Sequence, residues 1–540
     1  MHRRCRKASS TNGREGFILM VVTVTVVLLI YAAYNYSGTM LVEHRAVVMG
    51  GDDLVARTAA ESGVELVATR IMERDTDDTI DFYDSPDMFS RQILFDAPNE
   101  RGQVMFTVIA FDETNLTTGG HRFGLSNESA KFNINKLLEL YEADEALEAT
   151  GQEPLGLAAL AVENIPNMTE DILNATLDWL DSDDDRRQGG AENADYQALT
   201  VPYECKNGPM EDITELLKVQ GVLPEYFYGE DANNNGRLDA NENDGDASYP
   251  PDNGDGVLDL GWKEYLTASS RERNTNPDGD PKINLNSGEM TTLYDDVEAL
   301  YGEDAASFIV AYRIGGTEYA QQAFELPESG IEEKISRNDI DLTVVPTFQF
   351  TSLYELIGGE TNPVATYSSG EKSFVSPWSE DNVINEFPEL EKYLTINDDA
   401  YVEGRVNINE ARAEVLMSVS NAIPTELPGT IVDDILASRP EVGMQGGSAS
   451  VMVRRQTAAW LFTEGLVDLQ QLRELGPYIT TGGDVHRFQV IGHFGNGGPM
   501  TRLEAMVDAT EYPPRVVFVR DLTSLGRAFH PDELKPAYDR

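Results

Sequence analysis

The chain has 540 residues, a formal charge of −52 and 41% hydrophobic residues. That length allows several domains with real cores, and a surface this acidic repels nucleic acid and anionic lipid while attracting divalent cations. Of the two cysteines, Cys5 lies in the basic N-terminal segment, so Cys205 has no internal disulfide partner and packing must hold the fold, with metal as a further candidate.

The first element is an apolar run. Arg3, Arg4, Arg6, Lys7 and Arg14 precede it, and no charge appears from Phe17 until Glu43. About 20 apolar residues in a helix cover a hydrocarbon core of about 30 Å. The basic flank predicts an N-terminus on the cytoplasmic side and a single pass, with everything after Ser37 across the membrane. No small-residue cleavage site follows the apolar core, as it would in an ordinary secretory signal. The Gly16-Phe17 junction in front of the core instead resembles a type IV prepilin-like leader, cut between these residues so that the helix stays on the mature chain. A plain uncleaved anchor accounts for the same residues.

Residues 43–75 keep a helical rhythm, with Val47, Leu54, Val64, Val67, Ile71 and Met72 as an intermittent apolar stripe. Gly50-Gly51 predicts a bend or weak point, because each glycine costs a helix about 1 kcal/mol relative to alanine. Strands are expected at 104–111 and 121–125, and again at 488–492, 502–507 and 516–520. A sheet is thus assembled from both ends of the chain, and the large middle is an insertion.

That middle repeats. Lys131-Phe-Asn-Ile-Asn135, Lys282-Ile-Asn-Leu-Asn286 and Arg405-Val-Asn-Ile-Asn409 share a basic residue and an Asn-apolar-Asn triplet, each ahead of a helical pattern. Second helices recur at 169–179, 304–313 and 430–439, and third ones around Leu216, Leu356 and Leu472. Uneven spacing makes these three related helical modules and not a solenoid. Asparagine suits a helix N-cap, so a structural role is expected for these residues. Such modules resemble the helix-hairpin-helix family, whose members often grip DNA phosphates. Here the hairpin regions, Ile165-Pro-Asn167 and Ile423 to Gly429, carry almost no lysine, which argues against nucleic acid.

The most site-like chemistry lies in the loops. Asp231, Asn233, Asn235, Asp239 and Glu242 place side-chain oxygens at positions 1, 3, 5, 9 and 12 of a calcium loop, with Gly236 at the turn and the Arg237 carbonyl at position 7. A second run keeps Asn253, Asp255 and Asp259 but has Pro251 where the first ligand belongs. Asp181, Asp183 and Asp185 with Glu192 form a further acidic group, of the kind more often found as a solvated cap. The expected cofactor is Ca2+. Six histidines are scattered without metal spacing, and no G-x-S-x-G, phosphate loop or Cys/His pair occurs, so catalytic residues and enzyme activity are not expected.

Four stretches together resemble the K-type minor pseudopilins of type II secretion (the general secretion pathway protein K family). They are the Gly16-Phe17 leader; Arg122 to Asn135; Asp178-Trp-Leu-Asp-Ser-Asp183 with the segments that follow it to Leu216; and Val406 to Leu416 with the terminal strands. Residues 225–400 depart from the family pattern. The resemblance implies an α+β fold: a membrane-spanning pilin-like helix packed on a small antiparallel sheet, with a large, mainly helical insertion of helix-hairpin-helix-like modules. The expected division is leader 1–16, helix 17–75, first part of the sheet 76–130, helical insertion with calcium loops 131–280, extra module 281–400, third module 401–482 and terminal strands 483–540. Most mature pilins carry Glu at their fifth residue; counted from Phe17, the fifth here is Val21, as in K-type subunits. The implied role is a pseudopilus-tip subunit in protein export across the outer membrane, with other minor pseudopilins as partners and secreted protein cargo as a further candidate. A membrane-tethered DNA-uptake protein and a calcium-dependent surface adhesin are the alternatives.

Overall fold

The computed structural model describes residues 12–536 apart from 75–80, 100–101, 113–114, 116, 118, 250, 316–336, 338–339, 341, 359–363, 368–369, 374–375, 424–426, 428, 440–454 and 496. Helix α1, Asn12–Arg74, is one continuous rod of 63 residues, about 95 Å at 1.5 Å per residue. Its N-terminal part is exposed, long and apolar enough to cross a membrane. Gly50-Gly51 does not break it. Both glycines face open space, and a rod with many turns on either side absorbs a propensity cost of about 1 kcal/mol per glycine.

The C-terminal part of α1 packs on a sheet. Strands β1 (Gln92–Phe95), β2 (Val104–Phe111), β3 (Val485–Phe494), β4 (Met500–Asp508) and β5 (Arg515–Asp521) lie in the spatial order β1-β2-β3-β4-β5. All these pairings are antiparallel, with Gly492 opposite Phe106 and Thr501. The sheet is therefore built from both ends of the chain, and β1 extends it beyond the strands legible in the sequence. The expected 121–125 strand shrinks to the pair His121–Arg122.

Val64, Val67 and Ile71 of the expected stripe are buried against this sheet, whereas Val47 and Leu54 stay exposed. Ala56, Ala59 and Ala60 are wholly buried in their place. Two glycines explain why small residues sit there. A Cβ on Gly492 would lie 1.9 Å from the Ala56 carbonyl oxygen, and one on Gly63 2.5 Å from Val490. At Gly492 helix and sheet touch backbone to backbone, and at Gly63 the helix lies against the Val490 and Phe106 side chains, leaving no room for the larger residues that a hydrophobicity pattern picks out.

Between β2 and β3 hang three modules, each closed by a two-residue parallel strand pair. Phe132–Asn133 pairs with Leu266–Thr267, Ile283–Asn284 with Leu394–Thr395, and Val406–Asn407 with Ile479–Thr480. In each, the first asparagine of the triplet accepts the N–H two residues on: Asn133 from Asn135 (3.0 Å), Asn284 from Asn286 (2.8 Å) and Asn407 from Asn409 (3.0 Å). The second asparagine clamps a distant loop. Asn135 exchanges two hydrogen bonds with Met210, Asn286 exchanges two with Phe350, and Asn409 donates to the Arg455 and Thr481 carbonyls.

The expected N-cap role is thus corrected. Asn135 precedes the helix Lys136–Ala149 without a side-chain cap bond, because its amide is committed to loop backbone that would otherwise be left unpaired. Capping falls instead to the third helices, where Asp212/Glu215, Ser352/Glu355 and Asp468/Gln471 form reciprocal boxes.

Candidate metal centre

Residues 229–261 form two back-to-back acidic loops, joined where Gly229 bridges Leu260 and the Glu230 N–H meets the Asp259 carbonyl at 2.9 Å. The first loop is pressed onto the sheet. The buried Arg502 of β4 donates to the Asn233 and Asn234 carbonyls at 2.9 and 2.7 Å, and Gln489 of β3 donates to Asn234 at 2.8 Å. Gly236 requires its left-handed conformation, φ +69°, and a Cβ there would meet Phe111 at 2.5 Å.

Within this loop the structure gathers the expected ligands. Asp231 accepts the N–H groups of Asn235 and Gly236 at 3.0 and 2.9 Å. Glu242, 1% exposed, returns to accept Ala232 N–H and Asp239 N–H, both at 2.9 Å. Both Asn233 and Asn235 donate to Asp239 Oδ2, at 2.7 and 2.9 Å. Asn233 Oδ1 is buried without a partner. The Arg237 side chain leads away, pairing with Glu533 and, at 3.2 Å, with Asp239.

Burial, and then the Asp231 and Asp239 carboxylates, push Glu242 up to about 7 against two backbone N–H groups that lower it. The loop therefore concentrates oxygen donors more than it compensates them. Lys263 is the nearby cation, bonded to Asn234 and 3.9 Å from Asp231. The donor set is hard oxygen throughout, and an orphaned buried amide oxygen faces no donor. Both fit a hard divalent cation.

The second loop is more exposed. Asn253 donates to Asp259 Oδ2 at 3.0 Å, repeating the Asn233–Asp239 contact, and Asp255 accepts the Val257 N–H at 2.7 Å. The sequence pattern missed two of its acids. Glu230 accepts Asn253 N–H and Asp259 N–H at 3.3 and 3.1 Å, as Glu242 does in the first loop. Asp252 accepts the N–H groups of Asp244, Gly245 and Gly254 at 2.9, 2.9 and 2.7 Å. Burial raises both Glu230 and Asp259.

A third acidic centre lies in the first module. Asp178 and Asp181, on or next to the helix Glu170–Leu180, and Glu192, ahead of the helix Asn193–Gln197, bring carboxylate oxygens within 4.8 Å of one another. They are 0%, 8% and 3% exposed. Arg187 lies between the aspartates, 2.9 Å from Asp178 and bonded to Asp181. One oxygen of Asp181 and both of Glu192 are buried without a well-aligned donor. Burial, then Asp178 and Asp181, push Glu192 up to about 7. Asp183 and Asp185, grouped with it by sequence, are exposed and outside the cluster. Asp178 was the member that spacing along the chain did not reveal. Cys205 sits beside it, its Sγ 3.7 Å from the Asp178 carbonyl, with a thiol that burial raises to about 11.

Residues 130–228, the stretch that holds this acidic trio and most of the first module, match the family model of type II secretion system (T2SS) protein K. This stretch is similar to a protein K domain. The type II secretion system protein K of Pectobacterium carotovorum subsp. carotovorum is 33% identical over 113 residues, which make up 20% of this chain and 34% of that protein. The matched part thus spans about a third of the length of the curated relative. Among solved structures, the chain is similar to one in the GspK-GspI-GspJ complex of the enterotoxigenic Escherichia coli type 2 secretion system, at 11% identity and a TM-score of 0.35, over 86% of this chain and 95% of that one. The matched segment ends at Tyr228, two residues before Glu230, so both acidic loops lie beyond it.

Proposed function

We propose that this chain is a K-type minor pseudopilin that caps the tip of a short periplasmic pseudopilus and takes part in protein export across the outer membrane. The observation that carries the reading is architectural. A segment similar to a protein K domain is inserted between strands of a sheet carried on a single long N-terminal helix whose first part is apolar. Gly16 and Phe17 lie within that helix, and processing between them leaves the apolar part as an inner-membrane anchor with its C-terminal domain periplasmic. Val21 supports the tip position: a carboxylate in the bilayer is costly without a partner, and a subunit with nothing ahead of it meets no amine to pair with. The insertion between β2 and β3 is also too bulky to repeat along a tightly packed filament.

The partners proposed are other minor pseudopilins, met through the exposed face of α1 that includes Leu54. Two experiments test this. N-terminal sequencing of the membrane-bound protein is expected to read Phe17 first. Co-expression of the full chain with the other minor pseudopilins of its own system is expected to yield a complex with one copy of each, and secretion should fail without it. A terminus at Met1, or filaments of this chain alone, overturns the assignment.

Calcium belongs to the proposal as a structural cofactor. Asp231, Asn233, Asn235, Asp239, Glu242 and the Arg237 carbonyl form the first site, and Asn253, Asp255 and Asp259, joined by Glu230, form a weaker second one. The acidic hairpin regions and the charge of −52 support no role in DNA binding.

A further inference from the structure

The basic residue that opens each module has a partner in two of the three. In the first, Lys131 meets Glu128 Oε1 at 3.1 Å, and the Thr267 hydroxyl donates to Glu128 Oε2 at 2.5 Å. In the third, Arg405 holds both oxygens of Glu272 at 2.9 and 2.5 Å, and the Thr480 hydroxyl donates to Oε2 at 2.8 Å. The threonine occupies the same register each time, opposite the first asparagine: Thr267 opposite Asn133 and Thr480 opposite Asn407. The carboxylates have no common origin. Glu128 is three residues ahead of its lysine, whereas Glu272 arrives on the linking strand Arg271–Arg273. What recurs is the place between a cation and a threonine, filled by whichever carboxylate reaches it.

The middle module has the same cation and the same threonine. Lys282 opens it, and Thr395 lies opposite Asn284. Among the described residues, no carboxylate bonds to either. Both line a cavity of about 880 Å³ where the three modules meet the end of α1. Of the carboxylates in that wall, Glu391 acts most strongly on Lys282, yet among the described residues no hydrogen bond or ion pair joins the two. Burial pushes Glu391 up to about 7, with Glu272 adding to the rise and Arg405 and Lys282 opposing it. Burial also holds Lys282 below the ordinary lysine range, and the site lacks the close carboxylate that keeps its counterparts charged.

We propose that the head of the middle module is a carboxylate-binding site, in which a ligand carboxylate takes the place between Lys282 Nζ and the Thr395 hydroxyl that Glu128 and Glu272 take in the flanking modules. The size of the cavity admits a carboxylate carried on a peptide end or a small dicarboxylate. Its wall, with Arg405–Glu272 and Arg74–Asp484 already paired, leaves Lys282 as the cation to be satisfied. This inference is independent of the secretion reading, since it rests on the comparison of the three modules alone.

The test is calorimetric titration of the detergent-solubilised full chain with glutarate, with trialanine bearing a free C-terminus, and with trialanine amide. Saturable binding of glutarate or of the free-acid peptide but not of the amide is expected, and which acid binds more tightly distinguishes the two sources. Lys282→Met and Thr395→Val should each weaken binding, the first by about tenfold or more, the scale of one hydrogen bond to a charged group. Lys282→Arg should retain it, and Glu391→Gln should preserve or strengthen it by removing the competing charge. Equal binding of the amide, no saturation by either acid, or unchanged affinity in Lys282→Met with the melting curve intact overturns the proposal.

Discussion

Two acidic centres in this protein handle the same electrostatic problem in different ways. In the first module, Asp178 and Asp181 are buried around a guanidinium that the chain itself supplies. In the 231–242 loop, Asp239 takes two neutral amides and the partly exposed Arg237 at 3.2 Å, Lys263 stands 3.9 Å from Asp231, and the buried Glu242 is met by backbone N–H groups. A buried carboxylate needs a cation or several donors to remain ionised. The first centre is therefore held mainly by a covalent part of the fold, and the second depends on what the solvent provides. Built-in cations make a centre constitutive, whereas amide-lined loops make it responsive.

Breaking the built-in pair should have the largest effect. Arg187→Met leaves two buried aspartates uncompensated, a loss on the order of 3–5 kcal/mol, read as a lower denaturant midpoint. Millimolar calcium should recover part of it, because the unpaired oxygens of Asp181 and Glu192 then have a cation to bind. No recovery would mean that this trio is purely structural.

Chelation comes next. If calcium fills the first loop, stripping it should lower the melting temperature, by an amount equivalent to about 2.7 kcal/mol where the free ion stood at a hundred times its dissociation constant. The double substitution Asp231→Ala with Glu242→Ala should abolish that sensitivity while leaving the calcium recovery of Arg187→Met intact. A melting curve indifferent to excess chelator sinks the calcium assignment.

The pH dependence sharpens the contrast further. In the calcium-free protein Glu242 is raised to about 7, so the folded state holds this proton more tightly than the unfolded chain does. Its stabilisation is fully present below the ordinary glutamate range and is lost as pH rises through about 7. Melting in chelator should therefore fall between about pH 5 and pH 8, and saturating calcium should flatten or reverse the trend, since the metal binds the ionised form. Glu242→Gln should reduce the dependence in chelator, with Glu192 and Glu391 keeping their share of it.

The smallest effect is expected in the second loop. Asp255 is exposed and caps one N–H, so Asp255→Ala should change stability by no more than about 0.5 kcal/mol in chelator. Any larger effect in calcium would measure the contribution of that loop to metal binding.

Much of this architecture was legible one-dimensionally because its causes are local. The apolar run, the alternation of the strands and the Asn-apolar-Asn repeats are short-range patterns, and so are the oxygen ligands at fixed spacing from Asp231 to Glu242. The asparagines also illustrate the limit. Their recurrence was visible, but the side chains bond to Met210, Phe350 and Arg455, between 46 and 75 residues away, and no local rule names those partners. Glu230 was overlooked because it belongs to the second loop while sitting next to the first ligand of the other.

The sequence by itself determined the membrane-type helix, the sheet assembled from both chain ends, the tripled module and the calcium-type loop, since each follows from periodicity or from ligand spacing within a dozen residues or so. The tertiary structure alone decided which charged groups meet: Asp178 with Glu192, Glu272 with Arg405, and, among the described residues, no carboxylate bonded to Lys282. It also decided that α1 lies on the sheet through alanine and glycine, because two backbones meet at Gly492 and the Val490 and Phe106 side chains fill the space at Gly63. Charge pairing and close packing are relations between distant segments, and only folding brings those segments within reach of one another.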